Sequence, residues 1–114
     1  MKGNAKIKSV SLGYEDHGIL TCFLMLEQNG AGQGFGGYRL DAPKKGDSPL
    51  AGFWIQRLLE TVGVAEWKDL VGKYVRVDGE DFGEIRGIGN IIDDKWFYPR
   101  KEIEERFPKS RTNP

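Results

Sequence analysis

One cysteine and one histidine in 114 residues leave little room for most catalytic and metal chemistry. Cys22 can form neither an internal disulfide nor half of a CxxC pair, and it lies between Thr21 and Phe23 in the most apolar stretch of the chain. It reads as a buried structural thiol. His17 follows Glu15 and Asp16, but consecutive residues of a tight turn seldom converge on one ion, and the chain has no second His to complete a site. A nucleophilic set would need His17 to meet Cys22 or one of the serines, Ser9, Ser11, Ser48 or Ser110, and no spacing favours such a meeting. The carboxylate pairs Asp93-Asp94, Glu80-Asp81 and Glu104-Glu105 sit in polar contexts that suit solvated surface. The expectation is a protein that is not an enzyme, with no metal and no cofactor.

Charge of one sign is lacking too: 17 basic and 17 acidic residues give zero formal net charge. The usual long-range attraction to nucleic acid or to an anionic membrane is therefore missing. The longest apolar run, Ile19 to Leu26, is eight residues, whereas a membrane span needs about 20. Residues 1–6 contain no apolar segment of the secretory kind, which makes the cytoplasm the expected location.

What the chain has in excess is glycine, at 16 residues. They follow no collagen period and accompany 39% hydrophobic residues, so the composition fits one packed domain. The expected domain spans 1–107, followed by a disordered tail over 108–114. A first strand runs from about Lys6 to Tyr14, with Val10, Leu12 and Tyr14 on one face. A second, Ile19 to Leu26, is apolar on both faces and reads as a central strand. Asn29-Gly30 supplies a turn tolerant of positive φ, and the chain returns through Gln33 to Leu40 as a glycine-rich strand, bent or bulged.

Ser48-Pro49 then offers an N-cap and a first helical proline. Ala51, Ile55, Leu58 and Val62, with Trp54 beside them, recur at helical spacing until Gly63 closes the run. A single turn over Ala65 to Leu70, a strand over Lys73 to Val77, a strand over Glu84 to Ile92 with bulges at Gly87 and Gly89, and a charged helix over Pro99 to Phe107 complete the pattern. The expected fold class is α+β: a small antiparallel five-stranded sheet, or an OB-like barrel, with one helix between strands 3 and 4 and a short C-terminal helix.

The least expected segment runs from Asn29 to Arg39, with five glycines in the eight positions from Gly30 to Gly37. Each interior glycine weakens a strand by about 0.5–1 kcal/mol relative to alanine, so a compensating role is implied. Bare backbone amides could line an anion-binding nest, with Phe35 or Tyr38 as a stacking surface and Arg39 as a charged donor. A glycine-relieved, tightly coiled strand whose aromatics enter the core accounts for the same pattern. Gly32, Gly34, Phe35, Gly36, Gly37, Tyr38 and Arg39 are the candidate ligand- or partner-binding residues. Trp96 joins them, because Trp96-Phe97-Tyr98 cannot bury all three rings on one face. A glycine-rich edge strand could also pair with its copy in a homodimer. Against nucleic acid stand the two loops an OB-like barrel would use, around Glu15-Asp16-His17 and from Asp78 to Glu84, which carry six acidic residues between them.

The segments Leu12-Gly13-Tyr14-Glu15-Asp16-His17-Gly18-Ile19, Gly32-Gln33-Gly34-Phe35-Gly36-Gly37-Tyr38 and Trp67 to Val77 resemble a family of small phage- and prophage-encoded proteins, over roughly Val10 to Tyr98. More distantly, the helix followed by Leu70-Val71-Gly72-Lys73 is similar to phage accessory single-strand-binding proteins. The resemblance implies a phage context, a host-cell cytoplasmic location and no defined chemistry. It also implies action by binding, on a host protein or a nucleotide-like ligand, as anti-CRISPR proteins and signal-nucleotide sponges do. Single-stranded nucleic acid is the alternative ligand. No site residue carries over from the resemblance.

Overall fold

A computed structural model describes residues 2–16, 18–40, 50–79 and 84–106. Among these, the strands are β1 (Lys2–Tyr14), β2 (Leu20–Gln28), β3 (Ala31–Arg39), β4 (Tyr74–Gly79), β5 (Ile85–Gly89) and β6 (Trp96–Phe97). Helix α1 (Leu50–Val62) lies between β3 and β4, with a 3-10 turn at Trp67–Asp69, and α2 (Pro99–Arg106) follows β6. The expected α+β class is observed, but the strands form one six-stranded sheet in the order β3-β2-β1-β4-β5-β6, with every neighbouring pair antiparallel. The sixth strand is the Trp96–Phe97 pair, too short to show a period in the sequence. The sheet is open: Cα atoms of β3 come within 8 Å of β5, yet the order gives no ladder between these strands among the described residues.

Strand β1 starts earlier than its hydrophobic alternation suggests. Lys2 to Lys6 pair with β4, and Lys6 to Tyr14 pair with β2, so one long strand serves two neighbours. The change of partner coincides with a register shift between Ile7 and Ser9, which leaves Lys8 as the extra residue. Asn29 and Gly30 both take positive φ, 54° and 82°, and close β2 onto β3 as a two-residue turn. The bulge expected in β3 is present: Thr21 faces Arg39 while Phe23 faces Gly36, so one β2 residue opposes two on β3. The bulges expected at Gly87 and Gly89 are not. Both glycines keep regular register with Asp78 and Arg76, and the shift falls instead between Gly87 and Ile85.

The inner face of the sheet carries Ala5, Ile7, Cys22, Leu24, Leu26, Phe35, Val75, Val77, Ile85, Ile88 and Phe97, and α1 covers it with Trp54 and Leu58. Trp54 is fully buried, stacked on Phe35 at 5.7 Å between ring centroids and edge-on to Phe97 at 5.1 Å. Gly63, at φ 90°, ends α1 by donating its amide to the Leu59 carbonyl. Arg57 ties the helix to the far edge of the sheet: it donates to Glu102 at 2.9 Å and to the Trp96 carbonyl at 2.7 Å, with its guanidinium over the Phe97 ring. The expected N-cap at Ser48-Pro49, the tail over 108–114 and His17 lie outside the described residues.

Candidate functional site

Strand alternation and ladder register sort the residues of β1–β3 onto two faces. Cys22, Leu24, Leu26 and Phe35 point inward and are buried. The outer face reads, row by row, Ser11-Phe23-Gly36 and then Ser9-Met25-Gly34. The β3 side of this face is bare of side chains, and the β2 side carries Met25 and one exposed ring, Phe23.

The glycines of β3 form the floor on which that ring rests. A Cβ added at Gly34 would stand 2.8 Å from Cε1 of Phe23, and one at Gly37 would stand 3.8 Å from Cδ1. A Cβ at Gly32 would touch the Met25 sulfur at 3.4 Å. Gly36 has a different reason to be glycine: its φ is +113°, and a Cβ there would come 2.5 Å from the Cys22 carbonyl oxygen. Phe23 therefore lies across β3 with its outer face open to solvent. Lys8 stands on the same side of the hairpin, 3.5 Å from Glu27.

Of the residues singled out in the sequence, Phe35 is removed from any binding surface: it is 2% exposed and stacked on Trp54. Its place as a stacking ring is taken by Phe23, which hid in a run that read as buried on both faces. Gly32, Gly34, Gly36 and Gly37 are brought together with it. The backbones of Tyr38 and Arg39 belong to β3, while their side chains lie outside the described residues.

Trp96 sits on the far side of the sheet order, on β6. Its ring covers Gly89, where a Cβ would be 2.7 Å from Cδ2, and the Arg76 guanidinium lies 4.7 Å from its centroid. Tyr98 stacks beside it at 5.8 Å and covers Gly87 in the same way. Phe97, between them, is fully buried. The alternation that kept the three rings off one face thus puts one in the core and two on the outer surface. The Tyr98 hydroxyl donates to Asp78 at 2.7 Å, and burial, reinforced by that carboxylate, pushes its pKa up to about 12. Burial pushes the Cys22 thiol up to about 11, with the Trp54 indole opposing it.

No group of three or more His, Cys, Asp or Glu side chains that could hold a metal converges among the described residues. No described helix is long and apolar enough to cross a membrane. Compared with protein-family models, with curated proteins and with solved structures, the chain matches none.

Proposed function

We propose that this chain is a non-enzymatic, phage-type accessory protein that works by binding, and that its outer β1–β3 face holds nucleobases of single-stranded nucleic acid. The observation that carries this reading is the exposed Phe23 ring laid across the glycine floor of β3. Base stacking on an aromatic platform is sequence-tolerant and needs an open, flat approach, which the outward face of Phe23 beside the small side chain of Ser11 provides. Support also comes from topology. A long first strand shared by β2 and β4, a helix between β3 and β4, and the approach of β3 to β5 suit an OB-like sheet, whose second and third strands bind oligonucleotides.

With zero net charge, this reading requires stacking rather than phosphate attraction to supply most of the affinity. Fluorescence anisotropy of a labelled oligothymidylate at low salt tests the reading, with mononucleotides and cyclic dinucleotides as parallel arms. Oligonucleotide binding that is lost in Phe23→Ala supports it. Binding of free nucleotides alone identifies a nucleotide sponge on the same platform, and binding of none overturns it.

A second reading, a host-protein partner, is favoured by the end of the β1–β2 hairpin. There Leu12 and Tyr14 are 41% and 72% exposed beyond the reach of the core.

A further inference from the structure

The outer face of the sheet continues well beyond Phe23. On β2, Phe23, Met25 and Glu27 share that side, because Leu24 and Leu26 point inward. Glu27 pairs with Lys6 of β1, Lys6 with Tyr74 of β4, and Asn4 with Arg76. Arg76 in turn faces Gly89 of β5, which faces Trp96 of β6. Since Val75 and Val77 are buried on the inner side, Tyr74, Arg76 and Trp96 stand on the same outer surface as Phe23.

At the far end of this surface the construction around Phe23 is repeated. The Trp96 and Tyr98 rings cover Gly89 and Gly87 as Phe23 covers Gly34, and they stack at 5.8 Å with 22° between their planes. Both are only half-buried. The Arg76 guanidinium lies 4.7 Å from the Trp96 centroid, fixed there by donating to the carbonyls of Asn90 and Asp93 at 2.7 and 2.8 Å. Beside Tyr98 opens a cavity of about 350 Å³ whose walls carry three cations, Arg86, Arg100 and Lys101, against two carboxylates, Glu84 and Glu104. Arg86 and Arg100 are each steadied by an acid, Asp78 at 3.7 Å and Glu84 at 3.2 Å, while Lys101 is exposed on α2. Flat rings and a guanidinium edged by cations suit a base and the phosphate attached to it.

We infer that Arg76, Trp96 and Tyr98 form a second stacking platform for the same single strand, which crosses the outer face from Phe23 past Tyr74 and sets a phosphate against Lys101. The inference rests on the single-strand reading and supplies affinity which that reading requires. One stacked base is worth about fivefold to 150-fold in affinity, too little to hold a strand when phosphate attraction is weak. Rings at both ends of the face multiply that factor. By strand spacing and rise, Phe23 and Trp96 lie roughly 25–30 Å apart, with Tyr74, 55% exposed, between them. At the ~3.4 Å per nucleotide of a stacked strand, about eight nucleotides span that distance, inside the roughly 4–16 that an OB fold covers.

Anisotropy titrations at low salt with oligothymidylates of about four and about twelve nucleotides test the inference. They compare wild type with Phe23→Ala, Trp96→Ala and Lys101→Ala, with circular dichroism checking each fold. The longer strand should bind wild type at least about fivefold tighter than the shorter one, and Trp96→Ala should remove that advantage. Lys101→Ala should lower the slope of log K against log salt by about 0.7, the share of one lost phosphate contact. Because Lys101 is exposed, its slope decides the matter where Trp96→Ala does not fold. If folded Trp96→Ala and Lys101→Ala hold the longer strand as wild type does while Phe23→Ala weakens it, the second platform is overturned and the single-strand reading stands. A wild type that binds neither strand overturns both.

Discussion

The ring of Phe23 occupies the space that a side chain at position 34 would need, since a Cβ on Gly34 would stand 2.8 Å from its Cε1. The same relation recurs between Trp96 and Gly89 and between Tyr98 and Gly87. In each case an aromatic on the neighbouring strand, or for Tyr98 just past its end, covers bare glycine backbone, which offsets part of what an interior glycine costs a strand.

These glycines should not respond alike to alanine. At Gly34 the obstacle is the far end of an exposed ring that can swing outward, so Gly34→Ala should cost no more than about 1 kcal/mol, the low end of overpacking. At Gly36 the obstacle is the Cys22 carbonyl at 2.5 Å, and φ is +113°. Backbone cannot step aside as a ring can, and Gly36→Ala should cost about 1–3 kcal/mol, the range for a residue held in a disfavoured φ region. Urea denaturation of the two variants would show the order, and equal losses would contradict it.

Phe23 and Phe35 should part company in the opposite sense. Phe23→Ala should cost the fold only the cross-strand contact over Gly34, about 0.2–1 kcal/mol, and weaken oligonucleotide binding by about 1–3 kcal/mol per stacked base, which is about fivefold to 150-fold in affinity. Phe35→Ala removes a buried ring from against Trp54 and should cost about 3–5 kcal/mol of stability, the range for truncating a core aromatic. Anisotropy titrations beside urea curves would separate the two effects.

The inversion of those two phenylalanines shows where the sequence was legible and where it was not. Local signals placed β1 to β3, the Asn29-Gly30 turn, the α1 stripe with its Gly63 stop, and the strand through Val75 and Val77. The β2 run looked buried on both faces because Phe23 and Met25 are as apolar as their inward neighbours. The clue lay across the hairpin: glycines at 32, 34 and 36 recur with period two, so one face of β3 has no side chains, and a neighbour's ring can lie there. That requires register, which depends on the partner strand. The start of β1 at Lys2 and the two-residue β6 were hidden for the same reason, since each exists only through its pairing with a strand distant in sequence.

Asn90 is expected to be the most sensitive polar side chain of the far edge. Asn90→Ala would strip partners from the Thr61 and Val62 carbonyls and from the Ile92 and Asp93 amides at once. The bond to the Thr61 carbonyl is buried and the other three are part-buried; an unsatisfied buried group costs about 1–3 kcal/mol, and the variant should fall within that range. Hydrogen exchange should also speed up at Ile92 and Asp93. Protection there equal to wild type would show that the loop is held by other means.

Alkaline pH should loosen the fold through two groups. Folding raises the Cys22 thiol from 9.0 to about 11 and the Tyr98 phenol from 10.0 to about 12. Each neutral form is the one the native state favours, so between the two pKa values the unfolded chain binds fewer protons than the folded one. Stability must then fall as pH rises. The contribution of Cys22 is complete below about pH 9 and is lost as pH climbs through 11. That of Tyr98 is complete below about pH 10 and is lost toward 12. Tyr98→Phe removes the titrating phenol, so its stability should fall less steeply than wild type above pH 10, even though it forfeits the hydrogen bond to Asp78. Urea midpoints measured across that window for both proteins would check the sign and the difference in slope. Parallel curves would mean that Tyr98 ionises alike in the folded and unfolded chain.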